Sequence, residues 1–89
     1  MDLKGKVILV SKRVINKDKS EYFDTFFGRV ISNDSSKIII KKQNNEEVSI
    51  PPYSDDLYQI AEEGFYELED GSIYENPDYI GEFIVYLSK

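Results

Sequence analysis

The sequence predicts a mostly β domain, either a small SH3-like barrel or a rolled antiparallel sheet of about six to seven strands, with one short helical turn. Three observations carry this. β-Branched and aromatic residues alternate along most of the chain, and no window of about twelve residues sustains a 3.6-residue period. Turn-forming clusters recur at Asn16–Ser20, Asn33–Ser36, Gln43–Glu46 and Glu69–Gly71. The segment Glu21–Ser32 carries large apolar groups on both of its faces, which suits a sheet covered on both sides.

The first strand runs from Lys6 to Ile15. Its inner part, Val7–Val10, is continuously apolar, whereas Lys12 and Arg13 indicate a surfacing end. In the second strand, Phe23, Thr25, Phe27, Arg29 and Ile31 share one face, and Tyr22, Asp24, Phe26, Gly28 and Val30 share the other. Gly28, in its interior, is the expected place for a bulge or bend. Lys37–Lys42 and Glu47–Ile50 complete a three-stranded meander over residues 21–50, with Asn44-Asn45 suited to a tight turn. Pro51-Pro52 ends the fourth strand, because neither proline can donate to a ladder. Ser54-Asp55-Asp56 then predicts a helix start, with a Ser cap, two carboxylates in the first turn, and Leu57, Ile60 and Ala61 at one-turn spacing before Gly64. Phe65–Leu68 and Ser72–Glu75 flank Asp70-Gly71, a hairpin pattern that accommodates positive φ. Asn76-Pro77-Asp78 breaks the run, and Glu82–Leu87 forms a closing strand. A flat open sheet with one packed helix is the alternative arrangement.

At 89 residues the chain, 1–89, is expected to be a single domain. It is 40% hydrophobic and 31% charged, too apolar for a disordered chain and too interrupted by charge for a membrane protein. With neither Cys nor His, it lacks a disulfide framework, a thiol nucleophile, the commonest zinc ligand and the commonest general base. The apolar run Val7–Val10 is far shorter than a secretory h-region or a membrane helix, so a cytoplasmic protein is expected.

Charge is divided along the chain. Residues 1–45 hold ten Lys/Arg against five Asp/Glu, while residues 46–89 hold one base, Lys89, against twelve acids. The acidic half also carries most of the tyrosines. Three functional classes follow. Paired carboxylates such as Asp55, Asp56, Glu62, Glu63, Glu69 and Asp70 could in principle serve a hydrolase, but so short a chain has little volume for a cleft between them, and cap, dipole and turn roles account for them. With no glycine-rich phosphate cradle and no nucleophile elbow, no enzyme is expected, and no cofactor or metal. Nucleic-acid binding would use the basic half, with Tyr22, Phe23, Phe26 and Phe27 as stacking platforms; the net charge of −6 weighs against it. A protein-binding module would use the acidic, tyrosine-rich half, where carboxylates complement Lys and Arg on a partner.

The order Gly28-Arg29-Val30, a hairpin, Glu47–Ile50, Pro51-Pro52, an acidic turn, Gly64–Leu68 and Pro77-Asp78-Tyr79 resembles small bacterial immunity proteins of polymorphic or contact-dependent toxin systems. The likeness covers residues 28–79. It implies a cytoplasmic protein that binds and neutralises a cognate toxin, often a basic nuclease whose active site it plugs. No binding-site pattern maps from that resemblance onto individual positions. The candidate partner surface, Tyr53, Asp55, Asp56, Tyr58, Glu62 and Glu63, comes from surface reasoning on the segment after the prolines.

Overall fold

Alternating apolar residues separated by turn clusters produce strands and little else. The computed structural model describes residues 2–87, which form β1 (Val7–Ile15), β2 (Glu21–Asn33), β3 (Ile38–Lys42), β4 (Glu47–Ile50), β5 (Tyr58–Ile60), β6 (Phe65–Glu67), β7 (Ile73–Glu75) and β8 (Tyr79–Tyr86).

Three hairpins share one turn design. Lys19, Asn45 and Gly71 adopt left-handed φ values of 72°, 71° and 89° just before the chain returns. One position earlier, Asp18, Asn44 and Asp70 accept the backbone N–H of Ser20, Glu46 and Ser72 at 3.0, 3.0 and 2.9 Å. A type I turn followed by a left-handed residue fits the natural twist of the flanking strands, and an Asx side chain closing on the backbone two residues later reinforces it.

The larger sheet has the order β4-β3-β2-β1-β8-β5, and β6 with β7 makes a separate two-stranded sheet. β1 pairs antiparallel with β2 over its whole length, and parallel with β8 from Ile8↔Tyr79 to Ile15↔Tyr86. The expected all-antiparallel sheet is therefore mixed at its centre. Nor does it close into a barrel, since β4 and β5 stand at opposite ends of the order without pairing. It does curl: Ile50 of β4 and Tyr58 of β5 belong to one buried cluster, and the Tyr58 hydroxyl donates to the Pro51 carbonyl between them.

Both faces of β1 and β2 are covered, as their two-sided apolar pattern requires. On the concave face Ile8, Val10, Phe26 and Val30 pack with Ile38 and Ile40. On the other, Val7, Leu9 and Phe27 lie under Tyr66, Leu68 and Tyr74 of the β6–β7 hairpin, with the Phe27 and Tyr74 ring centroids 5.6 Å apart. Asp78 anchors the hairpin's exit: its carboxylate accepts the Val7 N–H at 2.8 Å, and its own N–H donates to the Val7 carbonyl at 2.8 Å.

Two local expectations are corrected. Gly28 lies in unbroken register, paired with Ile8 and Lys42, and the irregularity falls between Val30 and Ser32. Glycine is needed at 28 for space, since a Cβ there would sit 2.5 Å from Ile40 Cδ1. The helical turn expected at Ser54 stops after one hydrogen-bonded turn, in which the Leu57 and Tyr58 N–H groups point to the Ser54 carbonyl. The chain then enters β5, where Tyr58 pairs with Gly81 and Ile60 with Tyr79. Burying the Tyr58 ring against β8 outweighs continuation of a helix too short to be stable alone.

Candidate functional site

The six residues singled out by sequence reasoning divide into three groups. Tyr58 is 3% exposed, stacked on Tyr53 with ring centroids 5.6 Å apart, and tilted against Phe83. Burial pushes its phenol up to about 12. Gly81 exists for this ring, because a Cβ at 81 would lie 2.6 Å from Tyr58 Cε1. Tyr53 is half-buried, meets Tyr79 edge-on, and donates its hydroxyl to Asp55 at 3.1 Å, which holds its own pKa above the usual phenol value. These two tyrosines plug the seam between the ends of the curled sheet, and their rings belong to the core. Asp55 and Asp56 are exposed on the turn that precedes β5. Glu62 and Glu63 are exposed beyond β5, on the approach to the hairpin, where the Glu62 carbonyl accepts the Tyr66 hydroxyl at 2.8 Å.

The hairpin itself presents a surface that sequence reasoning passed over. Residues 61–78 contain seven acids, Glu62, Glu63, Glu67, Glu69, Asp70, Glu75 and Asp78, and no Lys or Arg. Register decides what faces out. Tyr66 pairs with Tyr74 and both turn inward onto Phe27, so the flanking pairs Phe65↔Glu75 and Glu67↔Ile73 turn outward. Phe65 is 74% exposed and Ile73 53%. Each apolar residue thus stands opposite a carboxylate, giving a chequered acidic and apolar face. The sequence held the means to find it: once Asp70-Gly71 fixes the turn, the parity of Tyr66 and Tyr74 against that of Phe65, Glu67, Ile73 and Glu75 gives the outward set.

The basic half is less available than its composition suggests. Among the described residues Lys12 pairs with Asp24 at 3.8 Å, Arg13 with Glu21 at 2.8 Å and Lys42 with Glu46 at 3.3 Å. Arg29 donates to the Gly5 carbonyl at 2.8 Å and to the Tyr74 hydroxyl at 3.3 Å, clamping the hairpin to β2. Of the four aromatic platforms, Phe26 and Phe27 are buried, leaving Tyr22 and Phe23 at the surface. Among the described residues no group of His, Cys, Asp or Glu is arranged to hold a metal ion, and no helix is long and apolar enough to cross a membrane.

No protein-family model matches the chain, and neither a curated protein nor a solved structure shows significant similarity to it.

Proposed function

We propose that the protein is a non-enzymatic protein-binding module, an immunity protein that neutralises a basic bacterial toxin through an acidic surface. The observation that carries the reading is the outward face of β6 and β7, where exposed Phe65 and Ile73 alternate with Glu67 and Glu75 on a segment without a single cation. Carboxylates accelerate encounter with a basic partner and set its orientation, while the exposed apolar groups supply the area that is desolvated on contact. Glu62 and Glu63 lie on the approach to the same hairpin, whereas Asp55 and Asp56 are exposed on the turn before β5, and Tyr53 and Tyr58 pack in the core on the opposite face of the sheet.

The test is capture of the cognate partner from the producing cell, followed by binding and growth measurements. The partner alone should arrest growth, and co-expression of this chain should relieve the arrest. Glu67→Lys with Glu75→Lys should slow association by about tenfold or more at low salt, with a smaller effect at high salt. A captured partner that is acidic, or one bound equally well by the folded double variant, would overturn the reading.

A further inference from the structure

β2 is longer than the strand that covers it. β3 pairs with it only from Gly28 to Asn33, so from Glu21 to Phe27 it has β1 on one side and, among the described residues, no strand on the other. The ladder fixes which backbone groups this leaves open. Val30 donates to the Lys6 carbonyl at one end and Asn16 to the Ser20 carbonyl at the other, with continuous register between. In an antiparallel pair of that phase the even-numbered residues of β2 exchange bonds with β1 and the odd-numbered ones point away. The N–H and C=O groups of Glu21, Phe23 and Thr25 therefore face outward, and among the described residues no backbone group bonds to them from that side.

This edge borders a groove. The β6–β7 turn stands over it, leaving a space of about 480 Å³ between Phe23, Thr25 and residues 67–70. A second space of about 250 Å³ opens where β3 ends, beside Thr25, Gln43 and Ser72. Glu67, Glu69 and Asp70 form the wall, and among the described residues none of them is in an ion pair. Phe23 is 67% exposed at the floor.

We propose that this edge receives an extended segment of the partner bearing Lys or Arg, which adds to the sheet as a further strand beside β2. The inference rests on the protein-binding reading and specifies how the partner is held. Unpaired main-chain groups give such a strand its affinity and the flanking side chains select its sequence. Parity fixes the pattern: alternate residues face the acidic wall and should be basic. Those between them fall on the face of β2 that carries exposed Tyr22, Asp24 in its ion pair with Lys12, and buried Phe26, where an apolar residue can pack on the Tyr22 ring. A second copy of this chain is the poorer occupant, because its own edge would bring Glu21 and Asp24 and its net charge of −6 toward the same acidic wall.

The probe is a capped peptide of alternating Lys and Val, about seven residues long, with a Glu/Val peptide as its counterpart. Amide exchange and NMR shifts are followed in the full chain. At saturation the Lys peptide should slow exchange at Phe23 and Thr25 by about tenfold or more, and it should bind at least about tenfold more tightly than the Glu peptide. Thr25→Pro should abolish binding while leaving the β1–β2 amides protected, since the donor it removes faces outward. Glu67→Lys with Glu69→Lys, on the groove wall and outside β2, should weaken the Lys peptide by about tenfold. Shifts confined to Phe65 and Ile73, equal binding of the two peptides, or protection of Phe23 and Thr25 that rises with protein concentration in the absence of peptide would each overturn the edge proposal. A captured partner that binds folded Thr25→Pro as tightly as wild type would overturn it too, and would leave the protein-binding reading standing. Failure of wild type to bind any partner, with the peptide result intact, would count against that reading instead.

Discussion

Gly28→Ala adds one methyl group where there is no room for it. The new Cβ would lie 2.5 Å from Ile40 Cδ1 and 3.1 Å from Ile40 Cβ and Cγ1, against a comfortable carbon separation of about 3.5–4.0 Å. Ile40 is fully buried, so its side chain has to move against packed neighbours. Overpacking of this kind costs about 1–3 kcal/mol, and the entropic advantage of Ala over Gly in a strand offsets about 0.5–1 kcal/mol of it. A net loss of up to about 2.5 kcal/mol, centred near about 1 kcal/mol, is expected, which in a chain of this size lowers the melting temperature by up to about 20 °C. Ile40→Val alone should cost about 0.5–1.5 kcal/mol through the small cavity it leaves. Combined with Gly28→Ala, the same truncation deletes Cδ1, the atom in the worst contact. The double variant should then be no less stable than Gly28→Ala alone, with a favourable coupling of about 1 kcal/mol in a urea-unfolding cycle. Single-variant losses that add to within about 0.3–0.5 kcal/mol, or a Gly28→Ala protein more stable than wild type, would refute the packing explanation for this glycine.

Tyr58→Phe deletes the hydroxyl that reaches the Pro51 carbonyl and should cost about 0.5–1.5 kcal/mol at neutral pH. Because burial raises the Tyr58 phenol from 10 to about 12, its contribution is complete below pH 10 and is lost as pH rises from 10 to 12; alkaline melts of wild type should fall over that window and those of Tyr58→Phe less so. Lys19→Gly should stabilise the protein by about 0.5–1 kcal/mol in chemical denaturation, since Lys19 holds φ 72° in its hairpin loop and glycine adopts that conformation without steric cost. Asp18 and Asp70 are held below the ordinary carboxylate value, Asp18 chiefly by the Ser20 hydroxyl and Asp70 chiefly by the Ser72 N–H. Depressed values of this sign contribute stability above pH 3.8 that disappears as pH falls through them, so Asp18→Asn with Asp70→Asn should flatten the acid limb of a stability–pH curve.

Local pattern made most of the strands readable. β1, the meander from β2 to β4 and the β6–β7 hairpin were visible because each is bounded by its own turn chemistry, and alternation in β2 already indicated two covered faces. What sequence could not supply was pairing between distant strands. Nothing local in Tyr79–Tyr86 says that it lies parallel to Val7–Ile15, and without that neighbour the three residues of β5 read as the continuation of a helical turn begun at Ser54. Two of the six candidate surface residues lie in the core for a related reason. Tyr53 and Tyr58 looked like contact residues because they sit among carboxylates, yet their rings close the gap between sheet ends that are far apart in the ladder order. Asp55, Asp56, Glu62 and Glu63 are exposed as expected, since burying a charged side chain on a short connector costs more in desolvation than a single hydrogen bond, such as that from Tyr53 to Asp55, returns.

The parallel pairing of β1 with β8 gives the protein an unfavourable birth order. β1 emerges first from the ribosome, and the meander through Ile50 can assemble on its β2 side, but the strand that belongs on its other side is not finished until Tyr86. At synthesis rates of about 5–20 residues per second, the central edge of the sheet stays bare for on the order of seconds, with Ile8, Val10 and Val14 along it. During that interval the nascent chain is a ready template for pairing with another nascent chain. Expression yield should therefore respond to translation speed and to the supply of chaperones more than the stability of the finished fold would suggest.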